Sequence, residues 1–159
     1  MEKEVFDLYS TEKVDRSENT TITLYRPFVK TGNGAVIIFA GGGYLRRCEH
    51  EEEAYAQFIR SMGICAFTVA YRCAPYTLPV QLSDARSAVR FVRANANKFN
   101  IDGDKIAVMG SSAGGHLAAL VSTYRGKVAG EEFSEYKDVD YIPSAQILCY
   151  PVICSDENI

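Results

Sequence analysis

Ile106-Ala107-Val108-Met109-Gly110-Ser111-Ser112-Ala113-Gly114-Gly115-His116-Leu117-Ala118 is the stretch on which the reading of this chain turns. Its opening, with Lys105 in front, is short and continuously apolar, the mark of a strand buried on both faces. Its end is a run of small residues that starts a helix near Ser112 and continues to about Thr123. Between them, Gly110-Ser111-Ser112-Ala113-Gly114 fits G-x-S-x-G, a pattern that sets a serine on a sharp strand-to-helix turn with its hydroxyl exposed above the sheet. Glycines flank the serine because so tight a turn brings backbones together and leaves no room for Cβ atoms. The five residues alone are weak evidence, since chance produces the pattern in about one chain of this size in twenty. The strand before it and the helix after it give it weight.

The segments around this corner alternate in kind. Thr21–Tyr25 alternates and is rich in β-branched residues, with Pro27 to end it. After the turn signal Gly32-Asn33-Gly34, Ala35–Phe39 is a buried strand, followed by the glycines Gly41 to Gly43. From about Glu51 to Ser61 the pairs Ala54/Tyr55 and Phe58/Ile59, then Met62, recur at helical spacing; Glu51, Glu52 and Glu53 suit the positive end and Gly63 the stop. Ile64–Ala70 is the next buried strand. Pro79 opens a helix with Leu82, Ala85, Val89, Val92, Ala96 and Phe99 in one stripe, and Asp102-Gly103 turns the chain into the strand at Lys105–Met109. A charged loop, Arg125 to Asp140, precedes a last strand, Ala145–Tyr150. Such alternation predicts an α/β fold, a mostly parallel doubly wound sheet flanked by helices, with residues 1–159 as a single domain. Ligands in such sheets sit beyond the carboxyl ends of the strands, where both glycine clusters lie.

Gly41-Gly42-Gly43-Tyr44 supplies a second chemical element. Acyl transfer through a serine needs N–H donors aimed at the oxygen that turns negative in the tetrahedral intermediate, and glycines let the main chain point them inward. Gly42 and Gly43 are the candidate donors, with the N–H of Ala113, the residue after the serine, as a third. The competing reading, a phosphate-binding βα turn, calls for G-x-G-x-x-G or a Walker lysine, and neither is present.

Phe39-Ala40-Gly41-Gly42-Gly43-Tyr44, Val69-Ala70-Tyr71-Arg72, Asp84-Ala85 and the stretch from Ile106 to Ala118 together resemble the α/β-hydrolase esterases. The likeness is nearest to the acetyl-esterases or acetylxylan esterases, close to the hormone-sensitive-lipase-like enzymes, and runs from about residue 20 to the end. It implies Ser112 as nucleophile and Gly42, Gly43 and Ala113 as the oxyanion hole, with short acyl groups, acetyl on a sugar among them, as substrates. It also implies that the sheet is incomplete at the C-terminal side. One departure is Ala40, where relatives usually carry His or Pro before the glycines; that residue shapes the loop and takes no part in the chemistry.

The larger departure is the base. In this fold the triad runs Ser, Asp/Glu, His along the chain. The sequence ends at Ile159 and holds only His50 and His116. His116, one turn along the same helix as Ser112, reads as structural; His50 follows the oxyanion loop and reads as a polar residue at a helix start. Asp138, Asp140, Asp156 and Glu157 fall in a charged loop or at the terminus, and Asp84 is expected to pair with Arg72. The expectation is therefore the nucleophile half of a truncated esterase, nearly inactive alone, with the base and its acid supplied later. A peptidase or amidase on the same scaffold stays open, as does a non-catalytic binding module.

Composition narrows the remaining classes. With 17 Lys+Arg against 20 Asp+Glu, a net charge of −3 and no basic run, the 159 residues offer no concentrated positive face for nucleic acid. The longest apolar run, about Ala35 to Ala40, falls far short of the roughly 20 residues a membrane span needs, and Met1-Glu2-Lys3-Glu4 leads into no signal-peptide core, so a cytoplasmic protein is expected. Cys48, Cys65, Cys73, Cys149 and Cys154 are odd in number, lack C-x-x-C spacing and read as thiols rather than a disulfide or zinc framework. No cofactor and no metal is expected; the partner is a small-molecule or carbohydrate ester. The apolar strand at Ala145–Tyr150, left at a sheet edge, predicts self-association or poor solubility of the isolated chain.

Overall fold

The computed structural model describes residues 3–9 and 20–153. Its elements are β1 (Lys3–Asp7), β2 (Thr21–Tyr25), β3 (Ala35–Phe39), α1 (Glu49–Ser61), β4 (Cys65–Val69), α2 (Val80–Ala94), α3 (Ala96–Phe99), β5 (Ile106–Ser111), α4 (Ala113–Thr123), a 3-10 turn at Glu131–Phe133, and β6 (Ala145–Cys149). They form one six-stranded sheet in the order β1-β2-β4-β3-β5-β6. Strands β4, β3, β5 and β6 are mutually parallel, while β2 runs antiparallel to both β1 and β4.

Strands β3 and β4 are buried along their whole length, and β5 almost so, because both of their faces are covered, whereas β6 at the sheet edge is exposed over its first three residues. Alternate residues of β3 divide between two cores: Ala35, Ile37 and Phe39 join one, Val36 and Ile38 the other. The first core is closed by α2 and α4 through Leu82, Val89, Leu117 and Val121; the second by α1 through Ala56 and Ile59.

Three features differ from the pattern expected of the sequence. The polar opening segment, in which the sequence pattern marks no strand, contains β1: Lys3-Glu4-Val5-Phe6-Asp7 turns one face inward, with the Phe6 ring 5.5 Å from Phe91 and 5.6 Å from Phe99, so its charges hide the period. The long helical stripe breaks at Asn95 into α2 and α3, and its last members, Ala96 and Phe99, belong to the short second helix. On α1 the helical spacing holds but the buried face is turned. Ala54 and Phe58 face solvent, while Ala56, Ile59, Arg60 and Glu51 are buried.

The expected pair of Arg72 and Asp84 forms. Asp84 is fully buried at the start of α2 and accepts from Arg72 Nη2 at 2.7 Å, the Arg72 backbone N–H at 2.9 Å and the Tyr9 hydroxyl at 2.7 Å. It thereby fastens the chain leaving β4 to the helix that follows. Replacing Arg72→Ala strands a buried carboxylate and is expected to cost about 3–5 kcal/mol of stability. Urea denaturation measures it, and a loss under about 1 kcal/mol, the range of a surface ion pair, would contradict the assignment.

Candidate active site

Strands β3 and β5 are parallel neighbours in register, with Phe39 opposite Gly110, so the loops that leave their carboxyl ends emerge side by side. This brings the two glycine clusters together. A Cβ built on Gly41 would stand 3.1 Å from the Cβ of Ser112 and 2.7 Å from the Ser111 carbonyl.

Ser112 occupies the corner between β5 and α4 with φ 52 and ψ −118, a backbone well that residues with a Cβ seldom adopt and that costs of order 1–3 kcal/mol. Three backbone hydrogen bonds hold it there: its N–H donates to Cys149 O at 3.1 Å, and its carbonyl accepts from His116 N–H at 3.0 Å and Val152 N–H at 3.2 Å. The neighbouring glycines are compulsory. A Cβ on Gly110 would meet Gly114 O at 2.1 Å, and one on Gly114 would meet Phe39 O at 2.0 Å.

The expected oxyanion donors lie on both sides of this corner. Gly42 (φ 131) and Gly43 (φ 64) are left-handed, and among the described residues their N–H groups donate to no protein acceptor. Ala113 is the first residue of α4, so its N–H has no partner within the helix and lies at the positive end of the helix dipole. The loop carrying Gly42 and Gly43 is anchored at several points. Gly42 O accepts from the N–H groups of Leu45 and Arg46, Gly41 O from Cys48 N–H at 2.9 Å, Ala40 O from the Tyr71 hydroxyl, and Tyr44 O from Ala74 N–H at 2.8 Å.

Two anchors were invisible in the residue pattern. Tyr44, itself left-handed at φ 60, shares a 2.9 Å hydrogen bond between its hydroxyl and His116 Nδ1, and its ring packs edge-on against His116 and Tyr71. Glu51, expected only as one of three acids at the positive end of α1, is buried; it accepts the Gly41 N–H on Oε2 and the Tyr150 hydroxyl on Oε1, both at 2.6 Å. One turn along α1, the Tyr55 hydroxyl accepts from the Ser111 hydroxyl at 3.0 Å.

Neither histidine is paired with the Ser112 side chain. His116 is committed to Tyr44, and His50 lies at the surface with Nε2 3.8 Å from Glu51 Oε1. Asp140 approaches Arg93 at 3.9 Å, whereas Asp156 and Glu157 lie outside the described residues, as does Cys154. Cys65 and Cys73 are buried, Cys48 and Cys149 half-buried, and no two of these four are joined by a disulfide. No described helix is long and apolar enough to cross a membrane.

The BD-FAE family model matches this chain over residues 22–148. The chain belongs to the BD-FAE family. It is 38% identical over 122 residues to endo-1,4-beta-xylanase B of Butyrivibrio fibrisolvens, covering 74% of this chain and 19% of that protein. It is 32% identical to the acetylxylan esterase of Xylanibacter ruminicola, covering 79% of this chain and 24% of that one. Among solved structures it superposes on the acetyl ester-xyloside bifunctional hydrolase of Caldicellulosiruptor lactoaceticus with TM-score 0.84 at 35% identity, covering 94% of this chain and 57% of that one. The α/β-hydrolase enzyme MGS-M1 from a deep-sea metagenome gives 0.77 at 30% identity, covering 99% of this chain and 60% of that one. The fold is that of the α/β hydrolases, and the chain spans about three fifths of these solved neighbours and a smaller share of the curated relatives.

Burial pushes the Tyr44 phenol above its ordinary range and holds the His116 imidazole below its usual 6.5. A histidine that binds its proton less readily when folded adds stability at high pH; that stability is lost as pH falls below the unfolded value toward the depressed folded one. The urea midpoint should therefore drop between about pH 7 and pH 5, and His116→Gln should flatten that slope. Equal slopes in the two proteins would contradict the assignment.

Proposed function

We propose that this chain is the amino-terminal, nucleophile-bearing part of a serine carboxylesterase acting on short acyl esters, acetyl groups on carbohydrate among them. Ser112 Oγ attacks the ester carbonyl carbon while its proton passes to a base, and the carbonyl electron pair moves onto oxygen. That oxyanion is held by the N–H groups of Gly42, Gly43 and Ala113. Collapse expels the alcohol, which takes the proton, and leaves an acyl group on Ser112 that water removes by the same steps in reverse order. The base and its orienting acid come from chain beyond residue 159. The observation that supports this reading best is the strained Ser112, held at φ 52 against Gly41 by glycine-only contacts. The names of the relatives, an acetylxylan esterase and an acetyl ester-xyloside hydrolase, favour the acetyl substrate.

That His50 and His116 approach Glu51 and Tyr44 rather than Ser112 favours one rival, a non-catalytic module that kept the scaffold. A fluorophosphonate probe applied to the protein as encoded by its gene separates the two. Labelling at Ser112, abolished by Ser112→Ala together with a fall of about 10⁴-fold or more in p-nitrophenyl acetate hydrolysis, is expected. No labelling would sink the esterase reading.

At the sheet edge, β6 pairs with β5 alone, and Ile147, Tyr150, Val152 and Ile153 are exposed there. The 159-residue chain should therefore self-associate with rising concentration, and Ile147→Lys should reduce that association. Sedimentation equilibrium showing a monomer at all concentrations would refute it.

A further inference from the structure

Glu51 is buried without a lysine or arginine partner among the described residues, in a helix turn whose other acids behave as expected. Glu49 is exposed, and Glu52 pairs with Arg47 at 3.1 Å. An exposed glutamate would serve the α1 dipole equally well without giving up its hydration, so helix stability alone does not account for the burial. What offsets the desolvation is a pair of 2.6 Å hydrogen bonds, one to each carboxylate oxygen, within the range of strong charge-assisted contacts. Their donors come from the two loops that flank Ser112: the Gly41 N–H after β3 and the Tyr150 hydroxyl after β6.

The contact falls at the start of the glycine run. Gly41, Gly42 and Gly43 are consecutive and lack Cβ atoms to restrict rotation, so the direction of the Gly42 and Gly43 N–H groups depends on what holds the peptide before them. The Gly41 N–H is held by Glu51, and a Cβ on Gly41 would stand 2.6 Å from Glu51 Oε2 and 3.1 Å from Ser112 Cβ. The carboxylate, the first glycine and the serine are thus in direct succession. The bond to Glu51 also pushes the Tyr150 phenol up to about 12, which keeps its proton available.

We infer that Glu51 is a positioning residue for the oxyanion loop: its carboxylate fixes the Gly41 peptide and ties it through Tyr150 to the loop after β6, so that the donors of Gly42 and Gly43 face the oxygen of the carbonyl that Ser112 attacks. The role rests on the esterase reading above. Glu51 touches no reacting atom; it acts through Gly41.

The test compares the wild-type protein as encoded with Glu51→Gln, Glu51→Ala and Tyr150→Phe. Glutamine can still accept from the Gly41 N–H but carries no charge, and alanine leaves that N–H without its acceptor. With p-nitrophenyl acetate, kcat should fall about 10-fold in Glu51→Gln and about 100-fold in Glu51→Ala, the scale of an ångström of misplacement, while KM stays within about 2-fold. Tyr150→Phe, which removes one neutral donor, should lower kcat about 3- to 10-fold and serves if Glu51→Ala fails to fold. In the amide spectrum the Gly41 N–H should lie downfield in wild type and move upfield in Glu51→Gln, independently of turnover. An active wild type whose folded variants keep kcat within about 2-fold, or lose only KM, overturns this role and leaves the esterase reading standing. An unchanged Gly41 resonance in Glu51→Gln also overturns it. A wild type that is neither active nor labelled by fluorophosphonate overturns the esterase reading itself, and this role with it.

Discussion

Everything at the site depends on a backbone contact that no side chain can enter. The start of α4 lies so close to the end of β3 that a Cβ on Gly114 would fall 2.0 Å from Phe39 O and 2.6 Å from Ala40 O. Gly115 is equally constrained, with Pro151 Cβ 2.9 Å from the place its own Cβ would take. These contacts press the helix onto three strand ends at once. The chain between β5 and α4 then has no room to turn gradually, and Ser112 takes the left-handed conformation because its neighbours leave no other path. Strain of this kind persists only where the surroundings over-determine it, and here the hydrogen bonds to the Cys149 carbonyl and from the His116 and Val152 N–H groups do so.

A different interaction stabilises the side of the molecule away from the glycines. Every residue of α2 from Gln81 to Val92 is buried, which an ordinary surface helix does not manage. The reason is the charged segment after α4, which lies over it and contains only the 3-10 turn at Glu131–Phe133 as regular structure. Backbone carbonyls covered in this way need donors. Arg86, Arg90 and Arg93 provide them at helical spacing: Arg86 to Tyr124 O and Gly126 O, Arg90 to Val139 O, Arg93 to Asp140 O and Ile142 O. Glu131 accepts from both Arg86 and Arg90 at 3.0 Å, and the Tyr141 ring stacks on the Arg86 guanidinium at 3.9 Å. The arginines convert a polar loop into the second wall of the helix.

How much of this was legible follows from the range of each signal. The corner at Gly110–Gly114 could be read because glycine, serine and glycine at fixed spacing have a local steric cause. The pairing of Arg72 with Asp84 was also legible, since a strand end and the first turn of the next helix are neighbours in any βα unit. Strand β1 was not, because five residues with charges at both ends bury a single face and leave too weak a period. On α1 a stripe read from apolar residues alone takes in Ala54 and Phe58 and misses the charged members of the buried face. Arg60 lies among the apolar residues with its guanidinium 4.2 Å from the Phe28 ring, and Glu51 is buried by a partner, Tyr150, 99 residues away. Partners at that separation leave no trace in a local pattern.

The same distinction separates the chemistry from its support. The groups assigned to the oxyanion are main-chain N–H donors, whose direction follows from strand register and glycine contacts and whose charge does not titrate. Around them, side chains decide how firmly that direction is kept. Tyr44 and Tyr71 are well suited to it: burial raises both phenols above their usual range, so their hydroxyls stay protonated and their hydrogen bonds to His116 and Ala40 O do not switch across neutral pH. A proton relay built from such groups would be inert, but a scaffold built from them suits the proposed esterase, whose base would exchange protons beside it. A base standing apart from these anchors, as that proposal has it, would have its own pKa set without altering the geometry it serves.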